Sequence, residues 1–254
     1  MPATKSQPEL DAVETDRRRA LGVVASVSLA ASALVLPGCS RASDGNGAET
    51  DAGKSEVTAN EDLMREHGVL RRILIVYSEV APILARDPGS VDAGAITTAA
   101  RLFRDFGEHY HEQILEEQHI FPLVRKAGGN GAALIDTLLA QHERGRAITD
   151  YILDRTKLGH IATGDGEALA KAMRGFTRMY QAHAAREDTV VFPAFKSSIG
   201  RRAYSELGEQ FEEIEHKQFG GDGFDIALDK IAEVEAALGL QDLADFTAPA
   251  PSAG

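Results

Sequence analysis

A histidine and a glutamate followed by Phe-Pro occur twice in this 254-residue chain. The first copy reads His111-Glu112-Gln113-Ile114-Leu115-Glu116-Glu117-Gln118-His119-Ile120-Phe121-Pro122, and the second His183-Ala184-Ala185-Arg186-Glu187-Asp188-Thr189-Val190-Val191-Phe192-Pro193. Imidazole and carboxylate together suit transition metals such as iron, and the chain offers no thiolate cluster that would favour zinc or copper(I). In each copy an amphipathic helix carries both groups near its end, and Phe-Pro is expected to stop it because proline lacks the donor a helix interior needs. The repeat points to a metal site built into helices.

Two further histidines fit that site by distance. His67 and His111 lie about equally far on either side of Asp87-Pro88-Gly89-Ser90, Glu116 and His142 on either side of Gly128-Gly129-Asn130-Gly131, and His142 and His183 on either side of the following connection. With a rise of ~1.5 Å per residue, each pair falls at one height in its hairpin. All four histidines should therefore meet in one layer with Glu116 and Glu187. A lone histidine on an apolar face is usually a hydrogen-bonded core or surface residue. Four at one level with two carboxylates would cost several kcal/mol per unpaired charge, which a metal removes.

The elements that must hold these groups are long helices. Apolar residues at helical spacing, such as Leu63, Leu70, Ile73, Leu74 and Tyr77, mark a helix over 61–85, and similar patterns mark 92–126, 132–158 and 166–196. Short connections favour antiparallel neighbours. The expected fold is all-α, an up-down-up-down four-helix bundle over 61–197. Two more helices, near 201–217 and 225–238, form an extension over 198–240 before a disordered tail at 241–254.

The residues leave some choices open. His183 and Glu187 are four apart, on one helical face, but His111 and Glu116 are five apart. Either a π-bulge realigns them or His109, seven residues before Glu116, takes the place of His111. The Phe-Pro end favours His111, because it sets Glu116 opposite Glu187 in the repeat; Glu117 is a lesser rival to Glu116. His119, His160 and His216 have no place in the layer and read as solvated. Tyr77 and Tyr110 read as core residues with their hydroxyls at the bundle surface, while Tyr180, one turn before His183, fits core and pocket equally. Glu108-His111 and Glu213-His216 are Glu-x-x-His pairs of the kind used in ferritin-like carboxylate sites. The helix around His183 argues against such a site, because Tyr180 stands where it would need a glutamate.

The order His67, His111 with Glu116, His142, His183 with Glu187, together with both Phe-Pro pairs, resembles the hemerythrin-like cation-binding domain over about 60–197. The resemblance implies a non-haem di-iron centre of two iron ions, with Glu116 and Glu187 bridging and the four histidines capping. Oxygen-carrying members have a second histidine four residues after the one on the third helix, where this chain has Arg146. That departure implies an open coordination position for a small diatomic ligand or peroxide. It favours binding or sensing oxygen or nitric oxide, or handling iron; an enzyme reducing peroxide or nitric oxide is the alternative.

Charge and the N-terminus bear on location. The net charge is −12, which opposes nucleic-acid binding because phosphates need a basic face. Arg17-Arg18-Arg19 precede an apolar run over 20–36, shorter than the ~20 residues that span a bilayer, and Leu36-Pro37-Gly38-Cys39 follows. Residues 1–39 resemble a bacterial lipoprotein signal, with the single cysteine, Cys39, as the acylated residue and the arginines pointing to the twin-arginine route. An exported protein, lipid-anchored on the outer side of the cell membrane, is expected. Residues 40–60, rich in Gly, Ser, Asp and Ala, read as a flexible tether.

Overall fold

The computed structural model describes residues 57–251; the signal segment, Cys39 and the tether as far as residue 56 lie outside the described residues. Helix α1 (Ala59–Leu84) opens on a capping box, in which Thr58 and Glu61 each satisfy a backbone N–H of the other. Helix α2 spans 93–127: an α-helical start (Ala93–Leu102) capped by Asp92, a π-helical middle (Phe103–Ile120) and an α-helical end (Phe121–Ala127). A single turn at Gly129–Ala132 leads to α3 (Ile135–Thr156). Helix α4 spans 166–198 and is likewise composite, with Gly166–Arg186, a π turn at Glu187–Val191 and Phe192–Ser198.

These four form the expected all-α bundle, and no strand occurs among the described residues. Helix α1 packs on α4, the start of α2 on α3, and α3 on α4. Tyr77, Leu84, Phe103, Phe106, Phe176 and Met173 fill the interior. Fully burying a side chain of that size contributes roughly 1.5–3 kcal/mol, so the apolar stripes of the four helices supply the main drive that brings the bundle together against the entropy of ordering it. Helix α5 (Arg201–Phe219) and helix α6 (Gly223–Leu238) cover its outside through Phe211, Ala227, Ile231 and Val234. Two polar ties fix them: the Asn60 N–H donates to the Tyr204 hydroxyl at 2.9 Å, and Arg72 Nε to Glu235 Oε1 at 2.8 Å. Within the stretch read as a tail, Leu243–Phe246 forms a 3-10 turn capped by Asp242. Among the described residues no helix is long and apolar enough to cross a membrane.

Phe-Pro does not stop either helix. Pro122 and Pro193 stand in the first turn of the α-helical ends Phe121–Ala127 and Phe192–Ser198, where a missing N–H costs nothing. A π turn precedes each, and the N–H groups of Phe121 and Phe192 reach back five residues to the carbonyls of Glu116 and Glu187. The π geometry is also wider than a one-residue bulge in the first copy and is present in the second, where the spacing of four gave no hint of it.

Candidate metal centre

The four helices bring the six sequence-selected residues together inside the bundle. His67, His111, Glu116, His142, His183 and Glu187 are all buried, and both glutamates are fully so. The imidazoles face each other in two pairs, with Nε2 of His67 3.0 Å from Nε2 of His111 and Nε2 of His142 3.1 Å from Nε2 of His183. Each glutamate spans both pairs. Glu116 sets Oε1 at 3.5 Å from His111 Nε2 and Oε2 at 3.4 Å from His142 Nε2. Glu187 sets Oε1 at 3.0 Å from His183 Nε2 and Oε2 at 3.5 Å from His67 Nε2.

The outward ring nitrogens are already committed. Nδ1 of His67 meets Asp188 Oδ1 at 2.7 Å, Nδ1 of His111 meets Glu66 Oε2 at 2.5 Å, Nδ1 of His142 meets Glu117 Oε1 at 2.9 Å, and Nδ1 of His183 meets Gln141 Oε1 at 2.9 Å. These partners are acceptors, so each Nδ1 donates its proton outward and each Nε2 is the nitrogen left to face an ion. They also form a ring: α1 holds the histidine of α2, α2 that of α3, α3 that of α4, and α4 that of α1. Every partner is the sequence neighbour of a site residue on its own helix.

The inner groups lack partners of their own. None of the four oxygens of Glu116 and Glu187 has a hydrogen bond of sound geometry. Burial opposes protonation of His111 and His142, yet Glu116 and the other carboxylates around them outweigh it and hold both well above the ordinary histidine range. Burial likewise pushes the Glu116 carboxyl up, but His111 and His142 pull it below the usual carboxylate range. Buried carboxylates without hydrogen bonds, beside imidazoles they hold protonated, are the condition a cation relieves by taking the place of the inward protons. Glu116, His142, His183 and Glu187 form one ligand-competent group while His67, His111 and Glu116 form another. The cluster fits a metal site.

The open choices resolve by position. His109 points outward to Gln113 at 3.1 Å, and Glu117 serves His142 Nδ1 from outside the layer. His160 and His216 are exposed, whereas His119 is half-buried against Phe211. Tyr77 and Tyr110 depart from the expectation: their hydroxyls are buried without a partner rather than at the surface. Tyr180 does line the pocket, beside Leu70, Phe103 and Glu112, in a cavity with room for about one water-sized guest next to His67, His111 and His183. Its hydroxyl donates to Glu112 Oε1 at 2.7 Å and occupies a hollow left by Gly145, where a Cβ would lie 1.9 Å from the phenol oxygen. Arg146 lies 3.1 Å from Glu117 and 3.6 Å from Glu112, pairing with carboxylates outside the layer. Glu66, Gln141 and Asp188 escaped the sequence reading because each serves a histidine on another helix; their adjacency to His67, His142 and Glu187 was the available signal.

A buried His/Glu cluster inside a four-helix bundle defines a class of metal-binding helical proteins. The chain belongs to the hemerythrin HHE cation-binding domain family, whose model matches residues 58–195. It is similar to the uncharacterized proteins Rv1995 of Mycobacterium tuberculosis and Mb2018 of Mycobacterium bovis. Each is 42% identical over 236 residues, covering 91% of this chain and 90% of the relative. No solved structure matches the chain.

Proposed function

We propose that the chain holds two irons, one at each histidine pair, and uses them to bind or sense oxygen or nitric oxide, or to handle iron. The observation that carries this reading is the way Glu116 and Glu187 each present one oxygen to each facing imidazole pair. His67 with His111 and His142 with His183 would cap the two ions, and both glutamates would bridge them. When bound, iron supplies an open coordination position at which oxygen, nitric oxide or peroxide can react. The protein's own part is to exclude bulk water, hold the ligands by their Nδ1 partners and limit guests to the size of the small cavity.

The alternative is an enzyme that reduces peroxide or nitric oxide at the same site. Tyr180 and Glu112 favour it, since their hydrogen-bonded pair lines the cavity beside His67, His111 and His183 and supplies a proton-bearing group there. Iron analysis and Mössbauer spectroscopy of the full chain reconstituted anaerobically test the shared premise: two irons per chain are expected, and fewer than one removes both readings. Stopped-flow spectra with oxygen and with peroxide then separate them, because a binder forms a persistent optical band and an enzyme turns over. A chelator should lower the melting temperature of the loaded protein, as only the folded state binds the ions.

Export and lipid attachment at Cys39 complete the proposal, resting on the arginine-led apolar run before Leu36-Pro37-Gly38-Cys39. Cys39→Ser should move the protein from the membrane fraction to the soluble one; an unchanged distribution overturns the anchor.

A further inference from the structure

The two histidine pairs differ in what stands behind them. Both residues of the His67/His111 pair donate Nδ1–H to carboxylates, Asp188 and Glu66. In the other pair, His142 donates to a carboxylate, Glu117, but His183 donates to the neutral amide of Gln141. The carboxylates differ too. Asp188 uses one oxygen for His67 and the other for Arg71, and Glu66 gives one oxygen to His111 while its second is buried with no partner. Glu117 instead spends the same oxygen, Oε1, on both His142 and Arg146. A carboxylate drawing on Nδ1–H makes the opposite ring nitrogen a stronger donor and a neutral amide does so less. Since each pair has one carboxylate shared with an arginine, Asp188 with Arg71 and Glu117 with Arg146, the amide of Gln141 is what sets the pairs apart.

We infer that Gln141 makes the two metal positions unequal, so that the ion at His67/His111 binds first and holds its higher charge more firmly than the ion at His142/His183. This rests on the di-iron reading and extends it: an ion held less firmly at the second position is the one that exchanges or reacts. Gln141 is a positioning residue here, acting only through His183. Removing or supplying such a partner changes metal affinity by about 10–100-fold, so Gln141 alone can separate the two positions measurably.

The test is stepwise anaerobic titration of the metal-free full chain with ferrous iron, followed by Mössbauer spectroscopy, for the native chain and for Gln141→Glu. The native chain should fill in two steps with affinities at least about tenfold apart and give two distinct quadrupole doublets; Gln141→Glu should bring the steps and the doublets together. One step in the native chain, or an unchanged difference in Gln141→Glu, overturns the inference. Failure to reach two irons per chain is the separate failure of the di-iron reading. In that event NMR of the metal-free chain still decides. The Nδ1–H resonance of His183 should lie upfield of those of His67 and His111 and move downfield in Gln141→Glu; a His183 resonance level with them overturns the inference.

Discussion

The two copies of the motif reach one geometry by different helical routes. In the second, His183 lies in the last turn of an α-helical stretch that ends at Arg186, and Glu187 begins the π turn, so four residues align them. In the first, both His111 and Glu116 lie within the π stretch Phe103–Ile120, whose bonds reach five residues instead of four, so a spacing of five aligns them. What stays fixed is the other interval. Each glutamate precedes its phenylalanine by five, each phenylalanine N–H returns to that glutamate's carbonyl, and each ring stacks on a site histidine: Phe121 on His142 at 5.7 Å and Phe192 on His67 at 5.4 Å. The motif is thus anchored at its Phe-Pro end, and the histidine position follows from whichever helix type leads into it.

If the glutamates are equivalent despite these routes, Glu116→Ala and Glu187→Ala should each remove most bound iron, and His111→Ala should do the same while His109→Ala removes none. Iron analysis of the purified variants reads this, and a His109→Ala that loses iron would break the equivalence of the copies. Deleting one residue sharpens it further. Removing Gln113 turns a spacing of five into four and can be absorbed by converting π turns to α-helix, so more than about half of the iron should remain. Removing Ala185 has no such remedy and should leave almost none; equal losses would refute the register argument.

The third position before the histidine differs between the copies, Glu108 in one and Tyr180 in the other. Burial raises the Glu108 carboxyl to about 7 from 4.5, with the Thr149 hydrogen bond opposing and Glu112 adding to the rise. A carboxyl whose folded value is raised gives stability that is complete below its unfolded value and lost as pH rises through the folded one. The metal-free protein should therefore lose about 3 kcal/mol from this group between pH 4.5 and pH 7. Glu108→Gln should flatten that part of a pH series of denaturant midpoints, whereas Tyr180→Phe should leave it in place. The smallest effect belongs to the stacked rings: Phe121→Leu and Phe192→Leu should each cost about 1–1.5 kcal/mol, equal between copies, by thermal melting of the metal-free chain.

Much of this was legible in the sequence. The helix limits fall within a few residues of expectation because apolar stripes, Asp92, Pro88 and the glycines after Ala127 are local signals. The layer of six residues was legible because helical rise converts sequence distance into height. The role of Phe-Pro was misread, since proline is costly inside an α-helix but free in the first turn after a π segment, and nothing local announces π geometry at Glu187. The burial of the Tyr77 and Tyr110 hydroxyls depends on α2, α5 and bundle packing, which no stripe on their own helices encodes. The supporting roles of Glu66, Gln141 and Asp188 have a related explanation: each pairing crosses from one helix to the next, so only adjacency to a site residue marks these three in the sequence.

That crossing pattern has a consequence for how the centre comes apart. The sequence of supports closes on itself, with the last bundle helix steadying the first, so no contiguous half of the domain contains a histidine pair with all its own props. A chain cleaved in the connection between α2 and α3 would leave the amino-terminal piece owning His67 but not Asp188, and the carboxy-terminal piece owning His142 but not Glu117. Neither fragment could keep an ion by itself, yet mixed together each carries what the other lacks, and added iron should knit the pieces back into one body.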